Sequence, residues 1–448
     1  MKSLKKIVCL VLCLVMVMSA TACAKTDPVP PVTNPPSVTE SPTETPVVEP
    51  TETPTENPVD AEKPEVVPSG QDFDTELKAF LLNEGTLSDS YMVSPMSYRF
   101  AMGMLTAGAN GDTQKELLGA MNFATIDEYM DWAANIIAFS ETFKELVNTE
   151  ETVIEPEINE DSKYEFFAES FTPATGAFNI ANSIWHNAND VGIIKAEFIE
   201  SMETKYNAQV YEIPLSDMVV EINNWVNENT KGMIPQIINN LPEEVSTVLV
   251  NTIYFKSAWR ETFTDLDEQK PFQGVKGEVM KDFMSNRESY LYYADDASEM
   301  VVIPMEGNVD VVLIKGDDTD YQEKLNNGTY RELNLYIPKW ETETSLENSE
   351  LVNFLAYKGV GNALVGGADF SNMIDTAIHI DDIIQKTVIK LDEEGLEASA
   401  ATAIIMMNDA IAIPEKPLDV YFDETFQYYI VANTDNGPEV MFFGQLGD

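Results

Sequence analysis

The most constraining stretch of the sequence is residues 393–409, which reads EEGLEASAATAIIMMND. Small residues dominate its first half, and its second half is apolar with no alternating polar face. By helix propensity alone, the alanines and glutamates would favour a surface helix. The stretch follows an apolar, β-branched run at 387–391, however, so it is predicted to extend from a strand end. A loop that later becomes a central strand fits this pattern better, because small side chains can enter a sheet with two buried faces.

The first part of this stretch resembles the hinge of the reactive-centre loop of serpins. The matching residues are Glu393, Glu394, Gly395, Leu396, Glu397, Ala398, Ser399, Ala400, Ala401 and Thr402. The resemblance implies an α+β fold with three β-sheets, about nine helices and an exposed reactive-centre loop. Insertion of the serpin loop into a sheet is itself a standard example of strand addition and of released strain.

Other parts of the chain carry the same resemblance, which covers residues 73–448. The strongest match is 248–263, reading VLVNTIYFKSAWRETF, where an apolar strand is followed by an aromatic cluster. Its matching residues are Asn251, Tyr254, Phe255, Lys256, Trp259 and Phe263. The segment 222–234 resembles a serpin helix, and 420–426 with 442–444 resembles the closing strands.

The resemblance also implies a sheet-opening region formed by Ser94, Ser97, Asn251 and Gln385. From the residues alone, Ser94 or Ser97 could equally be the cap of the amphipathic helix after them. Gln385 stands where many serpins have a histidine, and its amide can still form hydrogen bonds under the sheet.

Two further departures from the family pattern lie at the two ends of the loop. Leu396 replaces the small threonine or serine that usually comes after the hinge glycine, so a bulky side chain is expected to slow insertion. Glu424 and Thr425 replace a customary basic residue and proline. The small residues after Leu396 still favour an inhibitor.

Family spacing places the reactive bond between Asp409 and Ala410. The segment 410–417 is longer than in typical serpins, so cleavage after Met406, Met407 or Ala410 is an alternative. The bait IIMMNDAIAI contains no lysine or arginine, which disfavours trypsin-like targets. A narrow apolar pocket would accept methionine or alanine, so elastase-like serine proteases are expected. Asp409 would instead suit Asp-specific proteases such as granzyme B or caspases, although export makes an intracellular target awkward.

The resemblance leads to two functional hypotheses. In the first, the protein is a suicide substrate: a protease cleaves the loop, forms an acyl-enzyme and is trapped when the loop inserts. In the second, it is a non-inhibitory binding protein with the serpin fold, in which Leu396 blocks rapid insertion. An inhibitor of cysteine proteases is a further alternative. All of these imply a monomer without a cofactor.

Enzymatic function is disfavoured by the composition. The chain has only two histidines, His186 and His379, which excludes a histidine-rich metal site. No G-x-S-x-G nucleophile motif is present. The net charge of −49, from 76 acidic and 27 basic residues, disfavours nucleic-acid binding, which requires a basic surface.

The first 23 residues are predicted to be an export signal, with three early lysines followed by a short apolar run at 7–18. The run is too short for a transmembrane span. Residues 19–23 resemble a bacterial lipobox, in which Cys23 would be lipidated, although Ala20 is weaker than the usual leucine. A plain secretory signal is the alternative. All three cysteines lie in this segment, so the mature domain has no disulfide.

Residues 24–70 are predicted to be a disordered tether, because they hold 12 of the 24 prolines, interleaved with threonine, valine and glutamate. Fully extended, the tether could reach roughly 140 Å at about 3.1 Å per residue. The serpin domain is predicted at 71–448, with an acidic insertion at 145–171. The protein is thus expected to be extracellular, held at the cell surface only through a lipid on Cys23.

Overall fold

A computed structural model of the chain describes residues 70–147, 176–189, 192–243, 245–347, 349–364, 367–376, 378, 380, 383–396 and 416–447. Eight α-helices and one 3-10 helix (Asn362–Leu364) lie within these ranges. The α-helices are α1 (Gly70–Glu84), α2 (Pro95–Gly108), α3 (Gly111–Ala120), α4 (Ile126–Val147), α5 (Ala196–Lys205), α6 (Leu215–Asn229), α7 (Tyr321–Asn327) and α8 (Glu350–Tyr357).

Seventeen strands lie in the same ranges. They are β1 (Tyr91–Val93), β2 (Ala177–Asn187), β3 (Ala208–Ile213), β4 (Thr247–Ala258), β5 (Thr264–Asp265), β6 (Lys270–Gly274), β7 (Gly277–Lys281), β8 (Phe283–Ala294), β9 (Ser298–Met305), β10 (Val309–Gly316), β11 (Thr329–Pro338), β12 (Trp340–Leu346), β13 (Gln385–Asp392), β14 (Gly395–Leu396), β15 (Leu418–Tyr421), β16 (Phe426–Thr434) and β17 (Gly437–Leu446).

The strands form three sheets in the described part of the chain, which makes the architecture α+β. A six-stranded sheet, called the main sheet below, has the order β12-β13-β14-β4-β2-β3. A nine-stranded second sheet runs β1-β17-β16-β10-β9-β8-β11-β15, with β5 beside β8. The β6–β7 hairpin is the third sheet. The predicted fold class and sheet number are confirmed.

The main sheet is covered on one face by α6. This helix buries Met218, Ile222 and Trp225 in an apolar cluster that also contains Trp185 of β2 and Val250 of β4. The buried positions of α6 recur at helical spacing, which gives one apolar face for the sheet and one polar face for solvent. A larger core contains residues of the second sheet together with α1, α2, α4 and α8.

Several local predictions can be compared with these elements. The apolar strand predicted from Val248 is part of β4. The predicted acidic insertion overlaps α4, whose last turn includes Val147, buried in the core. The rest of that insertion, the signal segment and residues 24–69 of the tether lie outside the described residues, whereas Gly70, the last residue of the predicted tether, begins α1.

None of the helices in the described ranges combines the length and apolar composition that a membrane span requires.

A buried pair of ionisable side chains, Asp74 of α1 and Arg99 of α2, joins these two helices. Arg99 is 1% exposed, and its guanidinium lies over the ring of Phe73, 4.4 Å from the centroid. Asp74 lies 3.9 Å from the same guanidinium. Burial raises the pKa of Asp74 to about 8, outweighing the lowering effect of Arg99. The folded protein therefore keeps a proton on Asp74 at a pH where the unfolded chain has released it.

This raised pKa predicts that Asp74 makes the fold less stable as the pH rises from about 4 to about 8. Asp74→Asn should remove that contribution, so the difference in unfolding free energy between wild type and variant should change steadily over this range. Denaturant unfolding at several pH values measures it. Asp131→Asn, an exposed change on α4, is the control and should leave the pH profile unchanged. Parallel profiles for wild type and Asp74→Asn would contradict the prediction.

Candidate functional site

The start of the predicted loop already belongs to the main sheet. Gly395 and Leu396 form β14, which pairs antiparallel with β13 through Asp392 and Leu391. On its other side, β14 pairs antiparallel with β4 through Ala258 and Ser257. The side chain of Leu396 is 4% exposed and lies in the larger core. The bulky side chain of Leu396 was expected to slow its insertion into the sheet. In this structure Leu396 is already inserted.

Gly395 is required by a close backbone contact. Its φ is +139°, in a region that side-chain-bearing residues rarely adopt. A Cβ atom at this position would lie 2.4 Å from the carbonyl oxygen of Ser257 and 2.7 Å from Cα of Ala258. The glycine thus lets β14 approach β4 closely enough to pair with it.

The turn between β13 and β14 is attached to the segment directly after β4. The indole Nε1–H of Trp259 donates to the carbonyl of Asp392 at 2.9 Å, and its backbone N–H donates to the carbonyl of Glu394 at 3.1 Å. The backbone N–H of Phe263 donates to the carbonyl of Glu393 at 3.0 Å. Trp259 and Phe263 were identified from the sequence, and the structure shows that both hold the hinge turn.

An ion pair anchors the same turn on its outer side. Lys339 Nζ lies 2.6 Å from Glu393 Oε2 and 3.0 Å from Asp265 Oδ1. The hydrogen bond from Lys339 lowers the pKa of Glu393. Lys339 was missed at the sequence level, because it lies between β11 and β12 and its partners are distant in the chain. Pairs of this kind at a partly exposed site are weak individually.

The four predicted sheet-opening residues come together at the other end of β13. The side-chain amide of Gln385 forms two bonds with the backbone of Ser94: Ser94 N–H donates to Oε1 at 2.9 Å, and Nε2 donates to the carbonyl at 2.8 Å. Ser94 also caps α2 by accepting from Ser97 N–H at 3.1 Å, and its hydroxyl donates to the carbonyl of Met441 in β17 at 2.8 Å. Ser94 therefore caps α2 and also joins it to β13 and β17.

Asn251 continues this network into β2. The hydroxyl of Ser97 is hydrogen-bonded to Oδ1 of Asn251, whose Nδ2 donates to Asn182 Oδ1 at 2.6 Å. Asn182 in turn donates to the carbonyl of Tyr206 at 3.0 Å. The side chains of Ser97, Asn251 and Asn182 are buried, and their polar groups satisfy one another. The sequence analysis did not identify Asn182 as part of this network. Its position as a polar residue between apolar residues of β2 could have indicated a buried hydrogen bond.

The network, the hinge inserted beside β4 and the fold agree with the sequence resemblance. Residues 71–448 match the sequence model of a family described as Serpin (serine protease inhibitor). The chain belongs to the serpin family. It is 25% identical over 404 residues to the plasma serine protease inhibitor of Homo sapiens, covering 85% of this chain and 90% of that protein. It is 24% identical over 396 residues to the leukocyte elastase inhibitor of Sus scrofa, covering 82% and 94%.

Solved structures share the fold of this serpin. The thermophilic serpin tengpin in its native state has a TM-score of 0.67 at 23% identity, covering 86% of this chain and 95% of its own. Thyroxine-binding globulin in complex with thyroxine has a TM-score of 0.63 at 20% identity, covering 85% and 98%. At these identities the likeness concerns the fold alone. Serpins mostly inhibit proteases, but the family also includes non-inhibitory members such as thyroxine-binding globulin.

The far end of the loop enters the second sheet through β15, which pairs in parallel with β11. After it, Thr425 occupies the position of the customary proline. Its backbone N–H donates to the carbonyl of Gln273 at 3.0 Å, a bond that proline could not make. Glu424 forms a parallel bridge with the same residue. Glu424 and Thr425, which depart from the family pattern, therefore both contact Gln273 of β6.

The remaining predicted site residues lie outside the described part of the chain. They are Glu397, Ala398, Ser399, Ala400, Ala401 and Thr402 of the hinge, Met406, Met407, Asp409 and Ala410 of the bait, and Cys23.

Of the two histidines, His379 is also outside the described part of the chain, whereas the ring of His186 lies 2.9 Å from the carbonyl of Gly192 and 3.1 Å from Thr247 Oγ1. These bonds give His186 a structural role. Within the described ranges, no cluster of three or more His, Cys, Asp or Glu side chains could hold a metal ion.

The Gln385–Ser94 pairing predicts a large effect of Gln385→Ala. Because this variant would leave the buried backbone N–H of Ser94 without a partner, while the Ser94 carbonyl keeps its bond from Tyr98 N–H, we expect a loss of about 1–3 kcal/mol of stability. Lys390→Ala, an exposed change on the same strand, is the matched control and should alter stability by less than about 0.5 kcal/mol. The denaturation midpoints of the native state measure both. Equal midpoints for the two variants would show that the pairing contributes little.

Proposed function

We propose that this serpin inhibits elastase-like serine proteases as a suicide substrate. The protease cleaves the exposed loop and forms an acyl-enzyme, and the released loop then inserts into the main sheet and carries the protease with it. The observation that carries the proposal is β14, a strand of only two residues that separates the much longer strands β13 and β4. In the described part of the chain no ladder joins β13 directly to β4, so both can pair with a strand placed between them.

The register of β14 supports this mechanism when it is extended along the loop. Each further residue would meet one residue of β13 and one of β4. Ala398 would enter between Ile389 and Phe255, which are 2% and 7% exposed. A small apolar side chain suits that position. Fully extended, the segment from Gly395 to Asp409 would span about 46 Å at roughly 3.3 Å per residue.

Polar residues of the loop would also find suitable neighbours in this register. Thr402 would enter between Gln385 and Asn251, which both carry buried amides. Its hydroxyl could therefore exchange hydrogen bonds with them. On the opposite face, Glu397 would lie between Lys256 of β4 and Lys390 of β13.

Glu397 would thus carry the charge opposite to that of both lysines, and cross-strand pairs of opposite charge stabilise a sheet. The match of polarity on both faces favours insertion in this register.

The preference for elastase-like targets rests on the bait sequence. Met406, Met407 and Ala410 suit a narrow apolar pocket, and the similarity to the leukocyte elastase inhibitor of Sus scrofa is consistent with it. Cleavage after Asp409 would instead indicate an Asp-specific protease, and a cysteine protease would form a thioester by the same route. We place the protein outside the cell, on a tether lipidated at Cys23, and this location favours secreted proteases as targets. We propose that the inhibitor is a monomer.

A non-inhibitory binding protein is the second candidate. It is favoured by Leu396, which is already buried in the sheet and could hold the loop away from a protease. The likeness in fold to thyroxine-binding globulin is compatible with this alternative.

Incubation with pancreatic elastase distinguishes the two candidates. We expect an SDS-stable complex together with a released C-terminal peptide, whose mass identifies the cleaved bond. Catalytically inactive elastase is the control and should give neither product. Cleavage without a complex, with elastase remaining active, would contradict inhibition of this protease.

The extended register predicts the effect of Ala398→Arg. A guanidinium entering between Ile389 and Phe255 would have to be desolvated without a partner, so insertion should be slow compared with hydrolysis of the acyl-enzyme. The variant should therefore be cleaved as a substrate and form little complex, which the ratio of complex to cleaved serpin on a gel measures. Ala398→Ser, a small replacement, is the control and should still form the complex. An unchanged ratio for Ala398→Arg would exclude this register.

A further inference from the structure

The outer face of β11 and β15 carries two stacked tyrosines. Tyr336 and Tyr421 are partners across the two strands, and their ring centroids lie 4.4 Å apart with an angle of 5° between the ring planes. Tyr421 is 45% exposed. Side chains alternate between the two faces of a strand, and on the inner face Leu335 and Val420 are buried in the core. The residues of the outer face, called the tyrosine face below, are Asn334, Tyr336, Asp419 and Tyr421.

Polar contacts fix the tyrosine face in place. Lys315 of β10 donates from Nζ to the carbonyl of Tyr421 at 2.6 Å and forms an ion pair with Glu299 at 2.6 Å. Asp419 accepts from Asn334 Nδ2 at 2.6 Å across β11 and β15. Together with the ring stack, these bonds hold Tyr421 in one position. A partner that binds this side chain therefore loses little further conformational entropy.

The tyrosine face lies beside both attachments of the predicted reactive loop. β15 begins at Leu418, eight residues after Ala410 of the predicted reactive bond. Eight extended residues span at most about 26 Å. Directly after β11, Lys339 forms its ion pair with Glu393 of the hinge turn. A protease that holds the reactive bond in its active site is therefore kept next to this face.

Carboxylates dominate the surface around Tyr421. Residues 416–424 contain three acidic side chains and one lysine. The acidic side chains, all exposed, are Asp419, Asp423 and Glu424. On the neighbouring strand β8, Arg287 is paired with Glu332 at 2.8 Å, so its charge is compensated. A partner for this surface must therefore bring basic groups, and the net charge of −49 attracts such a partner from a distance.

We infer that the tyrosine face is a second contact surface for the protease that attacks the loop, and that this protease is basic beside its substrate cleft. The inference rests on the proposed inhibitory function and narrows the class of its targets. Tyrosine offers a large, rigid contact with a polar end, and aromatic residues of this kind carry much of the binding energy of protein interfaces. The surrounding carboxylates speed the encounter with basic proteases and select against acidic ones.

Contact with the tyrosine face is separate from loop insertion. β11 and β15 belong to the second sheet, whereas the loop would insert into the main sheet. A change in the face should therefore lower the rate of association with the protease but leave the ratio of complex to cleaved serpin unchanged.

Binding of catalytically inactive pancreatic elastase tests the face without cleavage. We expect Tyr421→Ala to bind about fivefold more weakly than wild type, as is typical for the loss of a central aromatic contact. Tyr421→Phe keeps the ring stack and should retain most of the affinity. Tyr330→Ala is the matched control, because Tyr330 is 77% exposed on β11 but lies outside the tyrosine face, and it should bind like wild type. Equal affinity of Tyr421→Ala and wild type would overturn the inference.

The charge of this surface is tested in a variant that leaves both tyrosines intact. Asp423→Asn combined with Glu424→Gln should slow association at low ionic strength and make its rate less sensitive to added salt. Asp127→Asn combined with Asp131→Asn removes two exposed charges from α4 and is the matched control, which should keep the salt dependence of wild type. An identical salt dependence in both double variants would contradict the preference for basic proteases.

Active elastase separates this inference from the proposed function. Tyr421→Ala should give the same ratio of complex to cleaved serpin as wild type. A lower ratio would show that Tyr421 acts on insertion and would rule out a role confined to docking. If the proposed function fails, no covalent complex forms with wild type or variants, whereas the order of their affinities for inactive elastase is retained.

Discussion

The close contact between Gly395 and β4 is the constraint on which the functional part of this structure depends. Because no side chain fits between Gly395 and the backbone of Ser257, glycine alone permits β14 to pair with β4 at this end of the main sheet. That pairing places Leu396 in the core and fixes the register in which the loop would continue. The polarity of the residues that flank this register then determines which loop sequences could enter the sheet.

Strand β13 connects the hinge with the sheet-opening network. At its first residue, Gln385 is bonded to Ser94 at the start of α2, and through it to β17. At its last residue, Asp392 accepts from the indole of Trp259. Any movement that widens the sheet between β13 and β4 must therefore act on both groups of contacts. Hydrogen bonds thus attach β13 to neighbouring elements at both of its ends.

The fold alone does not decide between inhibition and ligand binding in this family. The leukocyte elastase inhibitor of Sus scrofa and thyroxine-binding globulin resemble this chain at similar identity and coverage. The feature that distinguishes the possible functions is whether the loop after Leu396 can reach a protease and then enter the sheet. The small residues from Ala398 to Thr402 favour entry into the sheet, and Gly395 and Leu396 before them are already paired with β13 and β4.

The sequence by itself determined the family and the α+β architecture, and it singled out Gly395, Ser94 and Asn251 as residues to compare with the structure. It could do so because the strand of Asn251 and the turn at Gly395 require particular residue types at fixed spacing. Only the tertiary structure decided that Leu396 is already paired within the sheet, since insertion depends on the distance between β13 and β4. It also revealed Lys339 and Asn182, whose partners are far away in the chain, so local patterns could not indicate them.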